Sequence, residues 1–89
     1  MLYCLICIDK KSSLQKRMVN RAEHLSYVAE TGIVKYAGPF LSEDDAMIGS
    51  LIIIDAEDLS VAEDWAKNDP FNKAGLFQRR EIFRFKHLI

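Results

Sequence analysis

The chain is short of nearly everything that would announce a special class. Its 89 residues include two cysteines, two histidines, two prolines, four glycines and one tryptophan. So little glycine and proline excludes a collagen-like or linker-rich chain. Neither sign of charge dominates, since 12 lysines and arginines stand against 13 aspartates and glutamates, a net charge of −1. Nucleic-acid binding leans on basic side chains that neutralise phosphates, so this balance argues against it. No apolar run approaches the roughly 20 residues of a membrane-spanning helix. The opening Met1-Leu2-Tyr3-Cys4 has neither the basic start nor the small-residue cleavage site of a secretory leader. A cytoplasmic protein without a membrane partner is the expectation. There is no phosphate-cradling glycine loop, no HExxH and no EF-hand pattern, so no cofactor and no metal are expected. The length suits one domain, residues 1–89, whose folding buries only about 60–65% of the surface of the unfolded chain. A second copy sharing that small core would add considerably to it.

Cys4 and Cys7 spell Cys-x-x-Cys, but the segment around them, Leu2–Ile8, is apolar and strand-forming. Residues three apart on a strand point to opposite faces, with Cα atoms about 10 Å apart at ~3.3 Å rise. A disulfide requires Cα atoms within roughly 7 Å, and one metal ion cannot be gripped from both sides of a sheet. Redox versions of the motif open a helix, whose dipole lowers the thiol pKa. The two cysteines therefore read as free thiols of the core.

After this first strand, Ser12 with Gln15 three residues on has the form of a capping box, and Gly32 supplies a left-handed stop after Thr31. Ile33–Ala37 is a second strand, ended by Gly38-Pro39, with Leu41–Asp45 as a polar loop. Ile48–Ile54 is a third strand. Asp58 caps a second helix that runs to about Asn68, where Asp69-Pro70 ends it, because a residue before proline is pushed out of helical geometry. Phe71–Gly75 fits a single turn, and Leu76–Lys86 a last strand. The order β-α-β-β-α-β is the ferredoxin-like split βαβ arrangement of an α+β protein, a four-stranded antiparallel sheet with two helices on one face. Yet the first and third strands are apolar on both faces, as in strands covered from both sides. Two helices cover only one face, so a homodimer with sheets packed face to face is expected.

The first helix carries the residues with chemistry. A helical projection at about 100° per residue puts Leu14, Met18, Leu25, Val28 and Ala29 on the core stripe, with Arg21 inside it and Arg17 and His24 on its edge. A guanidinium on the core side of a helix is costly unless it is paired or borders a cleft. Read alone, Arg21 snorkels and His24 is a boundary residue. Asp69 adds a second observation: it is an anion at a helix C-terminus, where the macrodipole disfavours it. As part of Asp-Pro it can be a simple turn former. In a split βαβ unit, however, the two helices lie side by side, so Asp69 can meet His24 or Arg21. A carboxylate that orients an imidazole is the usual preparation for proton transfer. Ser50, beside Gly49, brings a hydroxyl to a place where backbone and ligand can approach closely. His87 reads as an exposed tail residue. Trp65, with Leu59 and Ala62 at helical spacing, reads as a core anchor.

Arg21-Ala22-Glu23-His24-Leu25, Ala37-Gly38-Pro39, Gly49-Ser50 and Trp65-Ala66-Lys67-Asn68-Asp69-Pro70-Phe71 with Gly75, in this order and spacing, resemble the YCII-related family over essentially the whole chain. The resemblance implies a dimeric, ferredoxin-like α/β barrel similar to muconolactone isomerases. It also implies an active site formed by a histidine and an aspartate, here His24 and Asp69. A few members are linked to lyase-type reactions such as dehydrochlorination of aromatic compounds. The short acidic segment Ser42–Asp45 departs from the longer small-residue loop of many relatives. The resulting expectation is a small cofactor-free lyase or isomerase that transfers a proton on a small organic acid or aromatic molecule. His24 would be its acid/base, Asp69 the orienter, and Arg17, Arg21 and Ser50 the substrate-binding residues. The alternatives are a non-catalytic module holding a small ligand, and a purely structural polar clip between the helices.

Overall fold

The computed structural model describes all 89 residues. In chain order the elements are β1 (Leu2–Asp9), α1 (Leu14–Thr31), β2 (Val34–Leu41), β3 (Met47–Asp55), α2 (Leu59–Asn68), the single turn α3 (Pro70–Lys73) and β4 (Phe77–Phe85). The strands form one antiparallel sheet in the order β2-β3-β1-β4. This is the ferredoxin-like α+β topology that the strand and helix order predicts. No helix is long and apolar enough to cross a membrane.

Alternation along β1 divides the sheet into two faces. Tyr3, Leu5, Cys7 and Asp9 are buried, while Leu2, Cys4, Ile6 and Ile8 between them are half-exposed. Tyr3, Leu5 and Cys7, with Ile52 and Ile54 of β3, pack against Ala62, Trp65 and Ala66 of α2. Trp65 Nε1 donates to Thr31 Oγ1 and the Tyr27 hydroxyl donates to the Trp65 carbonyl, each at 2.9 Å, which fastens α2 to the end of α1. Leu59, expected beside Trp65 in the core, is instead exposed at the start of α2. The other face has no helix over it. Registered there are Cys4, Ile53 and Phe83, then Ile6 and Leu51, then Leu2 and Phe85. Phe83 is 51% exposed and Tyr36, opposite Ile53, is 70% exposed.

Several local expectations require correction. The first helix starts at Leu14 with Ser13 as N-cap, and Ser13 makes no capping hydrogen bond with its side chain. Ser12 has φ +55° and belongs to the turn before the helix, so the Ser12–Gln15 capping box does not form. Gly38-Pro39 does not end the second strand, which runs on to Leu41. β2 is an edge strand, and an edge position tolerates a proline that has no N–H to give. Cys4, expected in the core, sits half-exposed on the open face, and both thiols are free. The capping by Asp58 is as expected, its side chain accepting from Val61 N at 3.0 Å. So is the stop at Gly32, which has φ +66° in the left-handed region.

The largest correction concerns the face that α1 turns to the sheet. Leu14, Met18 and Leu25 are 44–50% exposed, Ala29 and Arg21 are also exposed, and the buried residues of α1 are Arg17 and His24. The helix is rotated so that its polar ridge points inward. Each of those two side chains finds a carboxylate partner, Asp9 for Arg17 and Asp69 for His24.

Candidate functional site

Five polar residues are buried in the molecule, Asp9, Arg17, His24, Ser50 and Asp69. All five belong to one cluster under α1. Asp9 ends β1 and continues its inward alternation, so it faces the helix. Arg17 Nε donates to Asp9 Oδ2 at 2.8 Å and Arg17 Nη2 donates to Asp9 Oδ1 at 3.0 Å, a two-pronged ion pair. Nη2 also donates to Ser50 Oγ at 2.9 Å. Ser50 stands on β3 directly across from Cys7. Its neighbour Gly49 lies so close to the Cys7 carbonyl that a Cβ there would collide with it, and would stand 3.0 Å from the Phe40 ring. Glycine thus lets the two strands approach where Ser50 must reach Arg17.

The second half of the cluster hangs on Asp69, which ends α2 and begins α3. Its Oδ1 accepts from Phe71 N at 3.0 Å, capping the turn, and from His24 Nδ1 at 2.7 Å. A carboxylate only accepts hydrogen bonds, so Nδ1 carries the hydrogen, and Nε2 is the nitrogen left to face the site. The cap also places Phe71, whose ring stacks on the imidazole at 4.1 Å between centroids and 11° between planes. The Arg17 guanidinium carbon lies 4.7 Å from the centre of the same ring. Phe71 therefore touches both the Asp9–Arg17 and the His24–Asp69 pair.

Arg17, His24, Ser50 and Phe71 of this cluster line a cavity of about 220 Å³ between α1 and the β2–β3 edge of the sheet. Arg17, Arg21 and His24 form one wall, Ser50 and Phe71 the floor, and Val28, Pro39, Met47 and Ile52 the apolar remainder. Arg21 is exposed and forms no ion pair, so it is the free cation of the rim. No three His, Cys, Asp or Glu side chains are grouped as a metal site would require.

All five residues singled out from the sequence, Arg17, Arg21, His24, Ser50 and Asp69, border this one cavity or hold a side chain that does. Two others were missed. Asp9 is reachable by extending the β1 alternation Tyr3, Leu5, Cys7 by one more step, which puts a carboxylate on the helix-facing side beside Arg17. Phe71 carries no sequence signal beyond its place after Asp69-Pro70. The tail residue His87 is exposed and remote from the cluster, and its Nε2 contacts the carbonyl of Ile89.

With this geometry in place, likeness to known proteins becomes informative. The family model for the YCII-related domain matches residues 1–86. The chain belongs to the YCII-related family. Protein YciI of Escherichia coli O6:H1 is 33% identical over 95 residues, covering 97% of each chain. An uncharacterised protein of Haemophilus influenzae is also 33% identical, over 96 residues and 97% of each chain. Among solved structures, 5-chloro-2-hydroxyhydroquinone dehydrochlorinase from Burkholderia phenoliruptrix AC1100, in complex with 2,5-dihydroxybenzoquinone, superposes with a TM-score of 0.89. It is 36% identical, and the match covers 98% of this chain and 95% of that one. An antibiotic biosynthesis monooxygenase at 9% identity and a TM-score of 0.61 shares the fold alone.

Proposed function

We propose that this YCII-related protein is a small enzyme of the lyase or isomerase type that moves a proton on a small organic acid or aromatic molecule without a cofactor. The observation that carries this reading is the state of His24. Its Nδ1–H is held by the buried Asp69 at 2.7 Å, while the imidazole borders the cavity and Nε2 has no partner in the protein. An imidazole oriented in this way can take a proton at Nε2, and the nearby carboxylate stabilises the cation that results. The proton leaves a carbon of the substrate, and the electron pair of that C–H bond moves onto a conjugated oxygen. Collapse of the resulting enolate then either expels a leaving group from the adjacent carbon or takes the proton back at a different carbon. The first outcome is a lyase reaction and the second an isomerisation. Arg17, Arg21 and Ser50 are the groups that bind the substrate.

The lyase-type activity named for the relative of 36% identity supports this reading. The test is a panel of small ring compounds bearing hydroxyl, carbonyl or halogen groups, incubated in deuterated water and followed by NMR for deuterium uptake or halide loss. Wild-type protein should convert at least one of them. His24→Ala should lower the rate by about 10²–10⁴-fold, the usual worth of a positioned acid/base, while keeping the native circular dichroism spectrum. Conversion by His24→Ala at the wild-type rate sinks the proposal. Saturable binding without conversion by the wild type would mark the cavity as a ligand-holding site instead.

The working form is a homodimer in which the uncovered sheet faces pack together. Ile53 is buried among its own neighbours, but Leu2, Cys4, Ile6, Leu51, Phe83 and Phe85 make an apolar surface with no helix over it. Contiguous apolar patches of this kind mark association surfaces. Sedimentation equilibrium should give twice the chain mass, and Phe83→Glu should halve it; a wild-type monomer at high concentration would contradict the assembly.

A further inference from the structure

The donors of Arg17 are unequally used. Nε and one hydrogen of Nη2 go to Asp9, and the other hydrogen of Nη2 goes to Ser50. Nη1 has no acceptor in the protein, yet no fully enclosed side-chain nitrogen or oxygen lacks a hydrogen-bond partner. Nη1 therefore keeps contact with open space, and for a residue only 3% exposed that space is the cavity it lines. Ser50 is in a similar position. Its oxygen accepts from Arg17, and its own hydrogen has no acceptor in the protein. Two hydrogens on Nη1 and one on Ser50 Oγ are thus left for a ligand.

The pattern also says which ligand. A carboxylate prefers two parallel N–H bonds from one edge of a guanidinium. The side edge of Arg17, Nε with Nη2, is occupied by Asp9, and the end edge, Nη1 with Nη2, has lost both Nη2 hydrogens. Both two-pronged modes are blocked, and what remains suits one oxygen atom. The Asp9 carboxylate also offsets the charge of Arg17, so the cradle favours an oxygen by directed hydrogen bonds more than by net charge. About 220 Å³ leaves room for a single ring, since an apolar cavity of about 150 Å³ accepts benzene.

We propose that Arg17 Nη1 and Ser50 Oγ form a preset cradle for one ring oxygen of the substrate, a phenolate or enolate oxygen rather than a carboxylate, and that Asp9 is the residue that positions it. The proposal rests on the cavity being the substrate site, and it specifies the substrate class. Arg21, unpaired at the rim, is where a carboxylate on the same ring would be met. Fixed donors aimed at the oxygen on which charge develops act mainly on the transition state. Asp9 touches no substrate; it holds the guanidinium so that the open nitrogen, and no other, faces the cavity.

The probes are para-nitrophenol, whose ionised form is yellow, and benzoate, a carboxylate of similar size. Wild-type protein should bind para-nitrophenol as the phenolate, with a rise in yellow absorbance, and bind it more tightly than benzoate. Ser50→Ala should weaken it by about tenfold, the loss of one charge-assisted hydrogen bond, and leave benzoate binding within about twofold. Asp9→Asn frees part of the guanidinium edge and its full charge, so preference should shift toward benzoate by about tenfold. A merely structural role for Asp9 would weaken both probes alike. His24→Ala should retain the phenolate, which separates this proposal from the proton-transfer reading: loss of conversion with retained binding tests only the latter. Equal binding of para-nitrophenolate by wild type and Ser50→Ala overturns the cradle, as does a wild-type preference for benzoate. Ser50→Ala removes one hydroxyl at the cavity and keeps the test decisive even if Asp9→Asn fails to fold.

Discussion

Asp9–Arg17 and His24–Asp69 flank the same phenylalanine ring, are buried to a similar extent, and close at nearly the same distance, 2.8 and 2.7 Å. They differ in what each loses when its carboxylate is removed. Arginine cannot give up its proton in a protein, so Arg17 without Asp9 is a buried, uncompensated charge. Histidine can be neutral in a protein, so losing Asp69 strands no charge on His24, and the imidazole can still stack on Phe71. The first pair is bound into the architecture between β1 and α1. The second is connected to the turn α3 and keeps one nitrogen free. In the proposed reaction the second pair would handle the proton while the first holds a substrate-binding arginine in place, and Phe71 touches both.

The most direct way to break the comparison is to remove each carboxylate and measure unfolding in urea. Asp9→Ala should lower stability by about 3–5 kcal/mol, the usual penalty for leaving one member of a buried ion pair behind. Replacing both members, Asp9→Leu with Arg17→Met, should recover most of that loss, because the desolvation of two charges disappears with their attraction. Asp69→Ala should cost less, about 2–3 kcal/mol, the worth of a helix cap with one charge-assisted hydrogen bond, while abolishing most of the proposed activity. Equal losses for Asp9→Ala and Asp69→Ala would erase the distinction. A larger loss for Asp69→Ala would reverse it and favour the interhelical clip over the catalytic pair.

Much of this division was legible in the residue pattern, and the part that was not has a physical explanation. Element order followed from capping and stop signals at Asp58, Gly32 and Asp69-Pro70, which act locally and so can be read locally. Two oddities, an imidazole near an apolar stripe and an anion at a helix C-terminus, let Asp69 meet His24 or an arginine once the topology laid the helices side by side, and the resemblance to the YCII-related family singled out His24. The orientation of α1 was not legible, because a projection centred on Leu14, Met18 and Leu25 assumes that aliphatic side chains face the core. Here the carboxylate partners Asp9 and Asp69 match the rotation, and Asp69 is remote from α1 in sequence though close in space. Asp9 was overlooked because the apolar run ends at Ile8, although the strand and its alternation continue for one more residue. The end of the second strand was misjudged because a proline breaks a central strand and is tolerated at an edge, and the strand order is a tertiary property.

Cys7 offers the finest test of how the two regions share the buried space between them. It sits on β1 opposite Ser50, and its pKa is raised from 9.0 to about 12. Burial is the main cause, the carboxylate of Asp69 adds to it, Arg80 and Arg17 oppose it, and Asp9 adds a smaller increase. The sign of the consequence is fixed by linkage. Below the ordinary thiol value, folded and unfolded chains both keep the proton, and Cys7 contributes no pH dependence. Between 9.0 and about 12 the unfolded chain releases it and the folded chain does not, so stability falls as pH rises, by up to about 1.4 kcal/mol per pH unit. Cys7→Ala removes this slope, and subtracting its urea midpoints from those of the wild type cancels the lysines and tyrosines that titrate in the same range. Repeating the subtraction in an Asp69→Asn background should make the slope set in at the same pH but end earlier, because the folded thiol then ionises more easily. No change on removing Asp69 would mean that the charge of the His24–Asp69 pair is not felt at the strand beneath it.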